Sequence, residues 1–197
     1  SALFARADGQ ARYAPFIIAD KVVGHILASS VGMALFERER SGRGCSGNIF
    51  ARNDLSFAAA HGLEMTFSSR NLVYGNTLEG NAICGIWGGY ARDSEIVDND
   101  FRGNGGAGYG LERGGANLEH AQRVRIMRNR FADEPVSVHF WTDADEGLRR
   151  LPWTKANGAG AADNMVLDNS FTRIAAPIEL RGALHTLVGG HRWIECP

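Results

Sequence analysis

The sequence predicts an all-β fold, a single-stranded parallel β-solenoid with about 23 residues per coil. Three observations carry this expectation. Asn53, Asn76 and Asn99 recur every 23 residues, and Asn129 and Asn169 follow after 30 and 40. Each has an apolar residue three before it (Phe50, Val73, Ile96, Ile126, Val166) and another two after it (Leu55, Leu78, Phe101, Phe131, Phe171). Gly62, Gly85 and Gly108 keep the same 23-residue step, and short alternating stretches follow them, which marks strands with one buried face.

Taken in chain order, Val22–Phe36 is the most apolar stretch. Its 15 residues, broken by Ser29-Ser30, read as two strands around a turn and fall short of the roughly 18–20 that span a bilayer. From Phe50 onward each coil reads as strands separated by Asn and Gly corners. Asn and Gly suit corners because they tolerate a left-handed backbone, and stacked Asn side chains can bond along the stack. The later coils carry Pro135-Val-Ser-Val-His139 and Pro177-Ile-Glu-Leu-Arg181 where the earlier ones carry glycine. A leucine-rich repeat of this period needs L-x-x-L-x-L before the Asn, and that spacing is absent. The lengthened intervals place two insertions after the outward strand, near Arg113–Gln122 and near Thr142–Ala162. Long loops in compact domains tend to be functional.

With 197 residues, the chain reads as one domain spanning 1–197. Its formal charge of -1 argues against a nucleic-acid-binding protein, and its 44% hydrophobic content against disorder. The opening Ser1-Ala-Leu-Phe4, followed at once by Arg6 and Asp8, does not read as a secretory leader. Cys45, Cys84 and Cys196 form neither a disulfide framework nor a metal motif. For zinc, His120 and His139 are the nearest ligand candidates, without the ligand spacing. Asp143-Ala-Asp145-Glu146-Gly147 loosely has the acidic spacing of a calcium loop but lacks its continuation, so calcium is the only cofactor left open. Gly103-Asn-Gly-Gly-Ala-Gly-Tyr-Gly110 has no following helix and is not a phosphate loop.

The segments Asn71-Leu-Val-Tyr-Gly-Asn76-Thr-Leu-Glu-Gly-Asn81, Gly85-Ile-Trp-Gly-Gly-Tyr90 and Ser94-Glu-Ile-Val-Asp-Asn99-Asp-Phe resemble right-handed parallel β-helix proteins of the pectate-lyase-like type. Their repeats are similar to those of the NosD and carbohydrate-binding/sugar-hydrolase families. The resemblance covers about residues 45–190. It implies a right-handed β-helix and a secreted or periplasmic bacterial protein. It does not fix the chemistry, because such folds host lyases, hydrolases, epimerases and binding proteins.

Alternation after each landmark sends Leu63, Ile86, Tyr109, Val136 and Ile178 inward and leaves two outward columns. One is Glu64, Trp87, Gly110, Ser137 and Glu179; the other is Thr66, Gly89, Glu112, His139 and Arg181. The columns suggest a groove for a polysaccharide or oligosaccharide. Glu64, Glu112 and Glu179 are carboxyl candidates for glycoside hydrolysis, at spacings that favour inversion. His139 is a candidate base and Arg181 a carboxylate clamp for uronate lyase or epimerase chemistry. Trp87, Tyr90, Trp141 and Arg113 are candidate binding residues. Two alternatives stand beside this: a non-catalytic glycan-binding or structural module, completed by further coils or a capping segment, and a periplasmic accessory in metal-cofactor maturation.

Overall fold

The computed structural model describes Leu3–Ala5, Ala11–Tyr13 and residues 46–197. The strand pair expected within Val22–Phe36, and Cys45, lie outside the described residues. The chain divides into two units, Ser1–Arg43 and Gly44–Pro197. In the first, strands β1 (Leu3–Ala5) and β2 (Ala11–Tyr13) pair antiparallel.

The second unit is the solenoid, in which three parallel sheets share the coils. Sheet I contains β4 (His61–Glu64), β7 (Cys84–Trp87), β10 (Gly114–Glu119), β13 (Val136–Trp141) and β16 (Ala176–Arg181). Sheet II contains β3 (Ile49–Ala51), β5 (Leu72–Tyr74), β8 (Glu95–Val97), β11 (Arg125–Met127), β14 (Met165–Leu167) and β17 (Leu187–Gly189). Sheet III contains β6 (Thr77–Glu79), β9 (Asp100–Arg102), β12 (Arg130–Ala132), β15 (Ser170–Thr172) and β18 (Arg192–Ile194). Sheet II has six strands and the other two have five.

The predicted asparagine ladder forms between sheets II and III. Side-chain amides link Asn53 to Asn76 at 3.0 Å, Asn76 to Asn99 at 2.9 Å, Asn99 to Asn129 at 2.9 Å and Asn129 to Asn169 at 3.1 Å. The left-handed backbone falls one residue earlier than expected. Arg52, Gly75, Asp98, Arg128 and Asp168 have φ between 54° and 63°, and none of the ladder asparagines has a positive φ. The corner residue takes the strain, and the Asn side chain is left free to turn inward, where its carbonyl and amide bridge adjacent coils. Beneath the ladder, Phe101, Phe131 and Phe171 stack at centroid distances of 4.6 and 5.4 Å. All three are buried.

The landmark glycines have a steric origin. A Cβ at Gly62 would lie 2.8 Å from the Gly85 carbonyl oxygen, and one at Gly85 would lie 2.9 Å from that of Gly115. The coils approach so closely at this corner that a side chain does not fit.

Register corrects two coils. Leu63 and Ile86 pair as expected, but the next inward residue is Ala116, then Val138 and Ile178. Tyr109, expected in the core, is 73% exposed. It sits in an insertion that precedes β10 rather than following it. Val136 faces Ala176, two residues ahead of its expected place. The second insertion falls where expected and folds into α1 (Glu146–Arg149) and α2 (Pro152–Asn157). The last coil exposes Val188, Trp193 and Leu180, which continue the buried columns of Val166, Phe171 and Phe140. Among the described residues, no helix is long and apolar enough to cross a membrane.

Candidate active site

With the register in place, the outward columns of sheet I change membership. The first is Glu64, Trp87, Asn117, His139 and Glu179. In the second, Glu119, Trp141 and Arg181 lie side by side, with Thr66 and Gly89 in the preceding coils. Glu64, Trp87, Glu179 and Arg181 keep their expected columns. His139 moves to the first, directly beside Glu179. Glu112, Gly110 and Ser137 leave the columns.

The two insertions flank these columns. A glycine-rich hairpin (residues 105–113) reaches over the first column, where Asn117 Nδ2 donates to the Leu111 carbonyl at 2.7 Å and more weakly to that of Arg113 at 3.3 Å. The 142–160 insertion docks beyond the second column through Trp153. That indole meets Phe67 and Tyr90 edge-on at 5.4 and 6.4 Å and lies under the Arg92 guanidinium at 5.8 Å. Arg92 itself donates to Gln122 Oε1.

Several expected binding groups are therefore covered. Trp87 is half-buried, and its ring stacks on His61 at 5.6 Å. The edge of its ring also reaches Gly89, where a Cβ would touch it at 3.0 Å. Tyr90 is 1% exposed and stacks between Phe67 and His120 at 4.9 and 4.6 Å. Trp141 is buried and donates through Nε1 to Asn117 Oδ1 at 2.8 Å. His139 is buried beneath Leu111, and burial lowers its pKa. Arg113 and Arg181 are exposed.

Glu112 rides on the hairpin, with Oε2 3.7 Å from His61 Nε2. Its pKa is raised, first by burial and then by Glu64. Glu64 accepts from Thr66 Oγ1 at 2.7 Å. The expected Glu64/Glu112 pairing thus survives in space, although Glu112 comes from a different element.

The densest chemistry lies in the second column, between the insertions. Glu119, 8% exposed, shares its surroundings with His120 and Asp143. One ligand atom from each lies within 4.8 Å of the others. Burial first, then the charges of Asp143 and Asp145, push the Glu119 carboxyl up to about 7. The Gly160 amide donates to His120 Nδ1 at 2.9 Å, and His120 Nε2 stands 3.1 Å from Asp143 Oδ1. With its Nδ1 lone pair occupied, the neutral imidazole carries its proton on Nε2 and donates it to Asp143. That tautomer has no free nitrogen for a metal, so the trio suits proton transfer better than coordination. Asp145, a second acid of the segment with loosely calcium-loop-like spacing, caps α1 by accepting from Leu148 N at 3.1 Å.

Sequence reasoning missed Asn117 and Glu119 because it placed the third outward strand at Gly108–Glu112. His120 and Asp143 were considered only as metal ligands. The Gly114-Gly115 pair, which provides the side-chain-free corner, was the available signal for the true strand.

The family model for the right-handed β-helix region matches residues 28–146. No curated protein and no solved structure matches the chain.

Proposed function

Because the chain belongs to the right-handed β-helix family, we propose that the solenoid acts on a polysaccharide, with Glu119 and Asp143 as its working pair of carboxyls. One observation carries this reading. Glu119 projects from the rigid sheet between the two insertions, close to Asp143, with its carboxyl held up to about 7. A carboxyl poised near neutral pH can both give and take a proton there.

The pair suits hydrolysis. Glu119 protonates the glycosidic oxygen as the bond to the anomeric carbon breaks. Asp143, oriented by the His120 N–H, attacks that carbon from the other face. Water then displaces Asp143, and Glu119 takes up the proton of that water. Closely spaced carboxyls, at about 5–5.5 Å, give retention of configuration, whereas about 6.5–9.5 Å gives inversion. Oxygens within 4.8 Å favour retention. The inverting geometry expected from Glu64 and Glu112 concerns another part of the sheet. Lyase chemistry through His139 and Arg181 has less support, since His139 is buried and Arg181 adjoins Trp141 instead. A secreted or periplasmic setting belongs to the same proposal.

The test is a panel of acidic and neutral polysaccharides, scored for new reducing ends and for ultraviolet absorbance of unsaturated uronate. Glu119→Gln and Asp143→Asn should each lower reducing-end formation by about a hundredfold or more. Turnover surviving both substitutions would overturn the assignment, and uronate absorbance would replace hydrolysis with elimination. A glycan-binding module is the second reading, favoured by the hairpin roofing Asn117 and His139. It predicts glycan binding without turnover, unchanged in Glu119→Gln.

A further inference from the structure

The hairpin closes over polar groups that it does not satisfy. His139 is 1% exposed, and its Nδ1 lies 3.3 Å from both the Leu111 carbonyl and Asn117 Nδ2. Whichever tautomer forms, Nε2 has no partner among the described residues. The Trp87 Nε1 donor, in the same column, is also buried and unpartnered. A permanent cover over such atoms is unfavourable, because their lost hydration is not replaced.

Beyond Gly108 the hairpin is also weakly fastened. At its tip, the Tyr109 and Glu112 amides bond only to each other's carbonyls, at 2.8 and 2.9 Å. Its base is anchored by Gly105 N to the Asn81 carbonyl and Gly114 N to the Ile83 carbonyl, at 2.9 and 3.0 Å. Between these points Ala107 N and Gly108 N donate to the Ala82 carbonyl at 2.9 and 3.2 Å, and beyond Gly108 the tethers to the sheet are the Leu111 and Arg113 carbonyls, both accepting from Asn117 Nδ2. Gly105, Gly108, Gly110 and Gly114 all have φ between 60° and 94°, so glycines articulate the segment.

We propose that residues 109–113 form a lid, and that the Trp87–Asn117–His139 strip beneath it is a sugar-ring subsite that opens when the lid lifts. The choice of ligand rests on the polysaccharide reading; the lid motion does not. Sheet neighbours are spaced about 4.8 Å apart, so the strip presents an indole donor, an amide and an imidazole in a row. Sugar hydroxyls donate and accept, and so can satisfy both Trp87 Nε1 and His139 Nε2. Lifting the lid also frees the Asn117 amide from Leu111.

Residue-resolved labelling with diethyl pyrocarbonate tests the motion on the whole chain. His120 is equally buried under the other insertion and serves as the internal control. In the wild type, His139 should react about tenfold faster than His120 or more. A lid that opens locally should also leave the His139 rate flat in urea below the unfolding transition. Gly110→Ala meets no atom within 4 Å and strains only the closed turn, where φ is +60°. It should speed His139 labelling about fivefold or more and leave His120 unchanged. If His139 instead tracks His120 in rate and in urea dependence, there is no lid, and the wild type alone can show this if the variant does not fold. An oligogalacturonate and a neutral β-glucan oligosaccharide, added separately, test the subsite. Protection of His139 by either supports it, and protection by neither overturns it. Labelling needs no turnover, so failure of the Glu119 assay leaves this result interpretable.

Discussion

Asn104 Nδ2 donates to Glu134 Oε1 at 2.6 Å, so a carboxyl stands where a second asparagine ladder, Asn81 to Asn104, would otherwise continue. Burial raises the Glu134 pKa well above its ordinary 4.5. A carboxyl whose folded pKa exceeds its unfolded value binds its proton more tightly when folded. Its stabilising contribution is therefore complete below about 4.5 and is lost as pH rises through the folded value. Glu134→Gln keeps the acceptor for Asn104 and has no proton to lose. Its melting temperature relative to wild type should rise between about pH 5 and pH 9. A difference that is flat or falls would mean that Glu134 is ionised in the native protein. His120 and His139 have the opposite sign. Their folded pKa values are lowered by burial, so the stability they contribute is present above about 6.5 and lost on acidification.

Within the coil, the ladder and the aromatic stack should dominate stability. Asn99 accepts from the Asn76 backbone and side-chain amides at 2.8 and 2.9 Å, and it donates to the Val73 carbonyl at 2.9 Å. Asn99→Ala orphans several buried groups at once and should cost about 2–4 kcal/mol in denaturant melts. Phe131→Ala, which opens a gap between Phe101 and Phe171, should cost about 3–5 kcal/mol. A loss under about 1 kcal/mol at Phe131 would contradict its place in the core. Both elements were readable in the sequence because Asn and Phe recur with the coil, whatever the loops add elsewhere. Sheet I was less readable. Gly108-Tyr-Gly-Leu-Glu112 imitates the alternation of Gly62-Leu-Glu-Met65, and an insertion before a strand lengthens the repeat just as one after it does. Ser137 hid the next corner by replacing glycine, so neighbouring Pro135 was mistaken for the landmark. Those two shifts moved Glu119 and Asn117 out of the expected site and put Glu112 and Gly110 in their place.

Across the whole molecule, a regular solenoid holds two irregular insertions on either side of one sheet. Coils of this kind stabilise their neighbours, so substitutions within the insertions should alter the site more than the melting temperature. The site depends on the coil and the insertion together: Glu119 comes from β10, Asp143 from the start of the insertion, and the Gly160 amide that fixes His120 from its end. Carbon-13 NMR titration of the Glu119 carboxyl in the substrate-free protein is the most direct test of that assembly. Its midpoint should lie near 7. In Asp143→Asn it should fall only part of the way toward 4.5, because burial is the larger cause and remains. A wild-type midpoint near 4.5, unmoved by Asp143→Asn, would show that the two carboxyls do not share a site.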